Sequence, residues 1–152
     1  MLMKLNRFGL IALALTGAVI TGTAIAQFAK PEAAIKYRKA ALTVMSTHFA
    51  RIGAVAKGEV PYNKEDVIKN AEIVNTMASL PWQGFGPGTE GGDALPAVWS
   101  DGAKFKANQD KLMTATANLN TAANSGDLDA IKKATAAVGG ACKGCHDDFK
   151  KK

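Results

Sequence analysis

The chain is poor in the residues that hold transition metals, with only two cysteines and two histidines among 152 residues. Three of those four stand together as Cys142-Lys143-Gly144-Cys145-His146, and the fourth, His48, is remote in sequence. A closed zinc site needs four ligands, and no second paired motif supplies the remainder. No segment alternates apolar and polar residues as a half-buried strand does. A long basic stripe interleaved with aromatics is also missing. Much of the +6 formal charge comes from the solvated tail Lys150, Lys151 and Lys152, with Lys143 nearby, which does not fit a nucleic-acid partner.

Lys4 and Arg7 precede a run without charge that lasts from Phe8 to Ala26. A basic start, an apolar run and the small-x-small stretch Ala24-Ile25-Ala26 form a secretory signal, with cleavage expected before Gln27. An uncleaved anchor would favour Leu, Ile and Phe over the Gly and Thr found here, so no membrane attachment is expected after cleavage. Removing residues 1–26 takes away Lys4 and Arg7 and lowers the formal charge from +6 to +4. Residues 27–152 suit one domain, which at this size buries roughly two thirds of its chain surface.

Apolar residues Ile35, Leu42, Met45, Phe49, Ile52 and Ala56 recur three and four apart, with no Gly or Pro between Glu32 and Ile52. This predicts a long amphipathic helix. Asn63 is placed to cap a second helix, with Val67, Ala71, Val74 and Met77 inward and Pro81 as its stop. Trp82 to Pro96 is too rich in Gly and Pro for regular structure and reads as a loop crossing from one end of a bundle to the other. A third helix is expected from about Asp101, with Phe105, Leu112 and Leu119 inward, and a fourth is capped by Asp127. The expected fold is all-α, an antiparallel four-helix bundle whose core can hold a cofactor.

On the fourth helix Leu128, Ile131, Thr135, Val138, Cys142, Cys145 and Phe149 alternate four and three apart, so both cysteines face inward. At about 100° per residue, Cys145 lies roughly 60° to one side of Cys142 and His146 roughly 40° to the other. Two thiols one turn apart can add to the vinyl groups of a haem while the next imidazole binds its iron. Gly139 and Gly140 cost about 2 kcal/mol of helix propensity relative to alanine, which close approach of a flat macrocycle would justify. A structural disulfide, a redox dithiol and zinc are the alternatives. A dithiol is expected to open a helix in a βαβ setting, and a disulfide leaves His146 unexplained.

With "QFAKPEAAIKYRKAALTVM" at the start, "LPWQGFGPGTEGGD" in the loop and "CKGCHDDFKKK" at the end, the chain resembles the cytochromes c′, high-spin class II c-type cytochromes of bacterial periplasms. The resemblance implies one haem c attached through Cys142 and Cys145, with His146 as the iron ligand. It implies that Arg38 and Lys39 lie beside the haem propionates, that Leu42 covers the distal face and that Asp93 stands near the haem edge. Periodicity independently sets Arg38 on the inward seam between Ile35 and Leu42, where a buried cation needs an anionic partner. Two departures stand out: Lys39 where the family commonly has Gln, and Lys150 where it has an arginine four residues after the histidine. A lysine keeps the charge and loses the planar fork.

No methionine occurs between Gln27 and Val44, where low-spin relatives place a sixth ligand. The resemblance therefore implies five-coordinate iron that binds small gases such as nitric oxide and carbon monoxide, together with electron transfer to an unknown periplasmic partner. It also implies a homodimer through the first two helices. The rival is an enzyme, a nitric oxide scavenger or weak peroxidase, although Leu42 offers none of the acid-base help that O–O cleavage needs. Export and attachment together predict that the mature protein begins at Gln27 and weighs one haem more than its residues. Intact-mass spectrometry checks both, and a full-length mass or a haem extracted by acid acetone would refute them.

Overall fold

Helices start where capping residues stand in the computed structural model, which describes residues 28–152. The expected signal segment, residues 1–26, lies outside the described residues. Helix α1 (Pro31–Ala56) opens on a proline, whose missing N–H costs nothing in a first turn. Helix α2 (Lys64–Met77) is capped by Asn63, whose side-chain oxygen accepts from the Asp66 N–H at 2.9 Å. A short turn, α3 (Ala97–Ser100), precedes α4 (Gly102–Ser125), where Asp101 accepts from the Lys104 N–H. Gly126 ends α4 with φ of 79°, a left-handed turn that favours glycine. Asp127 then caps α5 (Leu128–Phe149), accepting from the N–H groups of Asp129 and Ala130. Each such cap is worth about 1 kcal/mol.

Four long helices close into the expected bundle, α1 against α2, α2 against α4, α4 against α5 and α1 against α5. Ile52, Val67, Val74, Leu119, Ile131 and Val138 are fully buried between them. The seam of α1 is rotated from its sequence reading. Ala34, Arg38, Ala41, Met45 and Ile52 are buried, whereas Ile35, Leu42 and Phe49 are half-buried. Small alanines let α1 approach its neighbours, and the half-buried Leu42 and Phe49 border a cleft.

The long connection differs from expectation in two ways. Pro81–Phe85 forms a 3-10 helix, so the segment is partly regular. It also does not cross the bundle. Gly84, Thr89 and Gly91 bind Arg38 near the start of α1, Leu95 binds the end of α5, and α4 begins beside it, as the Lys104–Asp148 ion pair shows. The whole segment folds over one end of the bundle, and the strand-like pairing of Ala94 with Lys150 fastens it there. Aromatic rings fill the space beneath: Phe105 meets Phe85 at 5.1 Å and Phe149 at 5.2 Å, both edge to face, and Trp82 at 6.0 Å. Among the described residues no helix is long and apolar enough to cross a membrane.

Candidate functional site

At this covered end α5 turns Cys142, Cys145 and His146 into one cleft of about 400 Å³. Val138 and Leu112 form its floor, Leu42, Met45 and Phe49 of α1 its facing wall, and Trp82, Phe85 and Phe105 its aromatic end. Arg38, Lys39 and Lys150 bring three cations to the same cleft. Both cysteines are half-buried. The donor set fits haem c. Two thiols one turn apart stand in a largely apolar wall, an imidazole follows them, and cations border the opening for carboxylates. Among the described residues no group of three or more His, Cys, Asp or Glu comes together as a metal site.

Burial sets the chemistry of the thiols. It pushes Cys142 up, and burial with the nearby Cys142 and Asp148 pushes Cys145 up to about 11. A thiol-disulfide exchange centre needs the opposite, a thiol lowered toward neutrality. His146 stands exposed at the rim of the cleft, where partial desolvation and the Lys150 cation, against Asp147, hold its imidazole below the usual value. The neutral ring, the form with a lone pair for a metal, is thereby favoured.

The remaining sequence-derived residues are all in or beside the cleft. Leu42 is half-buried in its wall. Arg38 is buried, 3 % exposed, and loop carbonyls surround its guanidinium. Its Nη1 donates to the carbonyls of Gly84 at 2.6 Å and Thr89 at 2.8 Å, and its Nη2 to that of Gly91 at 2.8 Å. The guanidinium also lies 4.4 Å from the Phe85 ring centroid and 5.6 Å from that of Trp99. Desolvation lowers its pKa, against the attraction of Asp93 and Glu90. Lys39 forms an exposed ion pair with Asp93 at 3.1 Å. Lys150 is exposed at the rim, and its N–H donates to the His146 carbonyl at 3.2 Å.

Sequence reasoning missed the carbonyls that hold Arg38 and the pairing of the loop with the chain end. The signal was the density of glycine in "GFGPGTEGG", which leaves carbonyls uncovered and lets backbone lie close to a helix. A Cβ on Gly84 would fall 2.8 Å from the Ala34 carbonyl oxygen and 2.9 Å from the Arg38 Cβ. Gly139 and Gly140 behave otherwise. A Cβ at either meets open space, and neither lines the cleft, so no contact among the described residues explains them. His48 pairs with Asn70 through Nδ1 at 2.8 Å. A second concavity, about 370 Å³, lies by Arg51, Pro61 and Asp66 and contains no thiol or imidazole.

Hydrogen bonding and attraction from Lys39, with smaller help from Lys150 and Lys151, hold the Asp93 carboxyl below its ordinary range. A carboxyl lowered by folding contributes stability above its unfolded value and loses it as pH falls through the lowered one. The pair is therefore complete at neutral pH and opens only in acid, and its exposure keeps its worth small. Lys39→Gln is expected to raise the Asp93 titration toward the ordinary carboxylate range in a carbon-detected NMR titration. A value that stays low would assign the shift to Lys150 and Lys151.

Comparison with known proteins agrees with the site. The family model described as Cytochrome C' matches residues 33–150. Cytochrome c' of Alcaligenes xylosoxydans xylosoxydans is 50% identical over 126 residues, covering 83% of this chain and 99% of the relative. That of Rubrivivax gelatinosus is 47% identical over 129 residues, covering 83% of this chain and all of the relative. Among solved structures, the nitric oxide complex of a leucine-to-alanine mutant of cytochrome c prime from Alcaligenes xylosoxidans superposes with a TM-score of 0.81 at 48% identity, covering 83% of this chain and 99% of that one. A ferrous arginine-to-lysine variant of the same protein with bound nitric oxide matches with the same TM-score at 50% identity, covering 83% and 99%. The chain belongs to the cytochrome c′ family, and Cys142 and Cys145 are the cysteines through which it carries its covalent haem c.

Proposed function

We propose that the protein is a periplasmic haem c protein that binds small gases, nitric oxide and carbon monoxide, at five-coordinate iron and transfers electrons. The observation that carries this reading is the single cleft that joins CKGCH on α5 to the apolar wall of α1. Haem c supplies an iron that takes a gas molecule and changes oxidation state. Cys142 and Cys145 would hold the macrocycle through two thioethers, and His146, favoured in its neutral form, would offer the iron a ring nitrogen. Lys39 and Lys150 are exposed cations that line the cleft, and their charge would favour the carboxylates of a propionate. Leu42, Met45 and Phe49 keep water away from the facing wall and offer it no ligand stronger than a thioether.

Carrier function is supported over turnover by what the polar groups are already doing. Arg38 donates to three loop carbonyls and His48 bonds Asn70, so neither stands as a proton donor beside a bound ligand. Cleavage before Gln27 and export to the periplasm belong to the same reading, supported by the charge and small-residue pattern of residues 1–26. So does a homodimer through α1 and α2, for which Val44 and Val60 present exposed apolar side chains. The redox partner is taken to be another periplasmic protein.

The test is the spectrum of the reduced protein. A c-type pyridine haemochrome and a high-spin, five-coordinate resonance Raman signature are expected. A low-spin ferrous signature at neutral pH would mean that a chain group such as Met45 reaches the iron.

Leu42 has its own prediction as the distal gate. Leu42→Ala is expected to speed carbon monoxide association after flash photolysis while costing about 2–5 kcal/mol of stability, as cavities in packed cores do. Unchanged association in a folded, five-coordinate variant would make Leu42 a packing residue only.

A further inference from the structure

We infer that Arg38 is the anchor of a strap, residues 84–95, which crosses the cleft mouth and, by pairing with residues 149–151, sets where the last turn of α5 holds His146. The inference rests on the reading of His146 as the axial ligand. It gives Arg38 a positioning role distinct from contact with a propionate.

The strap is fastened at both ends. On α1, Arg38 donates to carbonyls 46, 51 and 53 residues further along the chain, and its guanidinium lies over Phe85. Gly84 and Gly92 let the backbone lie against the helix. A Cβ on Gly84 would collide with the Ala34 carbonyl, and one on Gly92, whose φ is 60°, would sit 3.1 Å from Ile35 Cγ2. On α5, the Leu95 N–H donates to the Phe149 carbonyl at 2.9 Å and the Lys151 N–H to the Asp93 carbonyl at 2.8 Å. Lys151 Nζ reaches the Gly92 carbonyl at 2.9 Å. Asp93 is thus fixed from both sides, by Lys39 of α1 and by the chain end.

The same end of α5 is also held from α4, through Lys104 with Asp148 at 3.0 Å and Phe105 against Phe149. Two attachments on different sides define the direction of the last turn, and His146 lies on that turn, its carbonyl bonded to the Lys150 N–H. Loosening the strap leaves the α4 attachment in place. The expected result is a displaced imidazole, not a lost one.

Arg38→Met removes the donors while keeping much of the bulk. Arg38→Lys keeps the charge without the fork, and serves if the methionine variant does not fold. Gly84→Ala lifts the strap off Ala34 and Arg38 while removing no charge. In each holoprotein, amide hydrogen exchange at Leu95 and Lys151 is expected to accelerate at least tenfold, with the buried Leu119 amide as an unchanged reference. The ferrous iron–histidine stretching band is expected to shift or broaden in all three.

Unchanged exchange at Lys151 in both Arg38 variants would overturn the strap. A band that responds to Arg38→Met but not to Gly84→Ala or Arg38→Lys would overturn the positioning role, because Arg38 would then act through its charge alone. A wild-type band that survives His146→Ala would instead refute the ligand assignment, and with it the effect on His146, while the exchange data still decide whether the strap exists.

Discussion

A guanidinium withdrawn from water must be given acceptors, and at Arg38 that requirement organises one end of the molecule. The cost of leaving such a group unsatisfied runs to several kcal/mol, more than most surface contacts contribute. Three carbonyls satisfy it, and they can do so only because the segment that bears them is rich enough in glycine to lie flat on α1. Phe85 and Trp99 then stack on the cation, Phe105 packs against Phe85 and Phe149 against Phe105, so the aromatic end of the cleft builds outward from one buried charge. The four helices make the bundle. Arg38 determines what closes it.

The helices and the attachment residues were legible in the sequence because both depend on short-range spacing. Asn63 and Asp127 cap where capping chemistry places them, and Cys142, Cys145 and His146 share a cleft because residues three and four apart share a helix face. Resemblance to a known family added the expectations for Leu42 and Lys39. What could not be read is long-range. No local rule says that the Thr89 carbonyl, 51 residues from Arg38, will accept its proton, or that Ala94 will pair with Lys150. Nor does the sequence say which carbonyls will hold the buried Arg38, since they lie 46 to 53 residues further along the chain. The rotated seam of α1 has a similar cause. Periodicity weights large apolar residues, while the tightest helix packing falls on Ala34 and Ala41.

Charge is distributed to match this division. The buried cation is held by dipoles, while Lys39, Lys150 and Lys151 stay in water around Asp93, where pairing is weak and exchangeable. The mouth of the cleft can therefore adjust to ionic conditions while the frame beneath it stays fixed.

The raised thiols bear on how the protein is made. Before haem attachment, burial disfavours the thiolate of both cysteines, and the thiolate is the form that attacks a disulfide or forms one. In an oxidising compartment this protonation protects two neighbouring cysteines from oxidation once the helix around them has folded. It equally slows any spontaneous reaction they make with another electrophile. A chain that folds before haem attachment would present both thiols protonated, so attachment is favoured before this turn of α5 is buried.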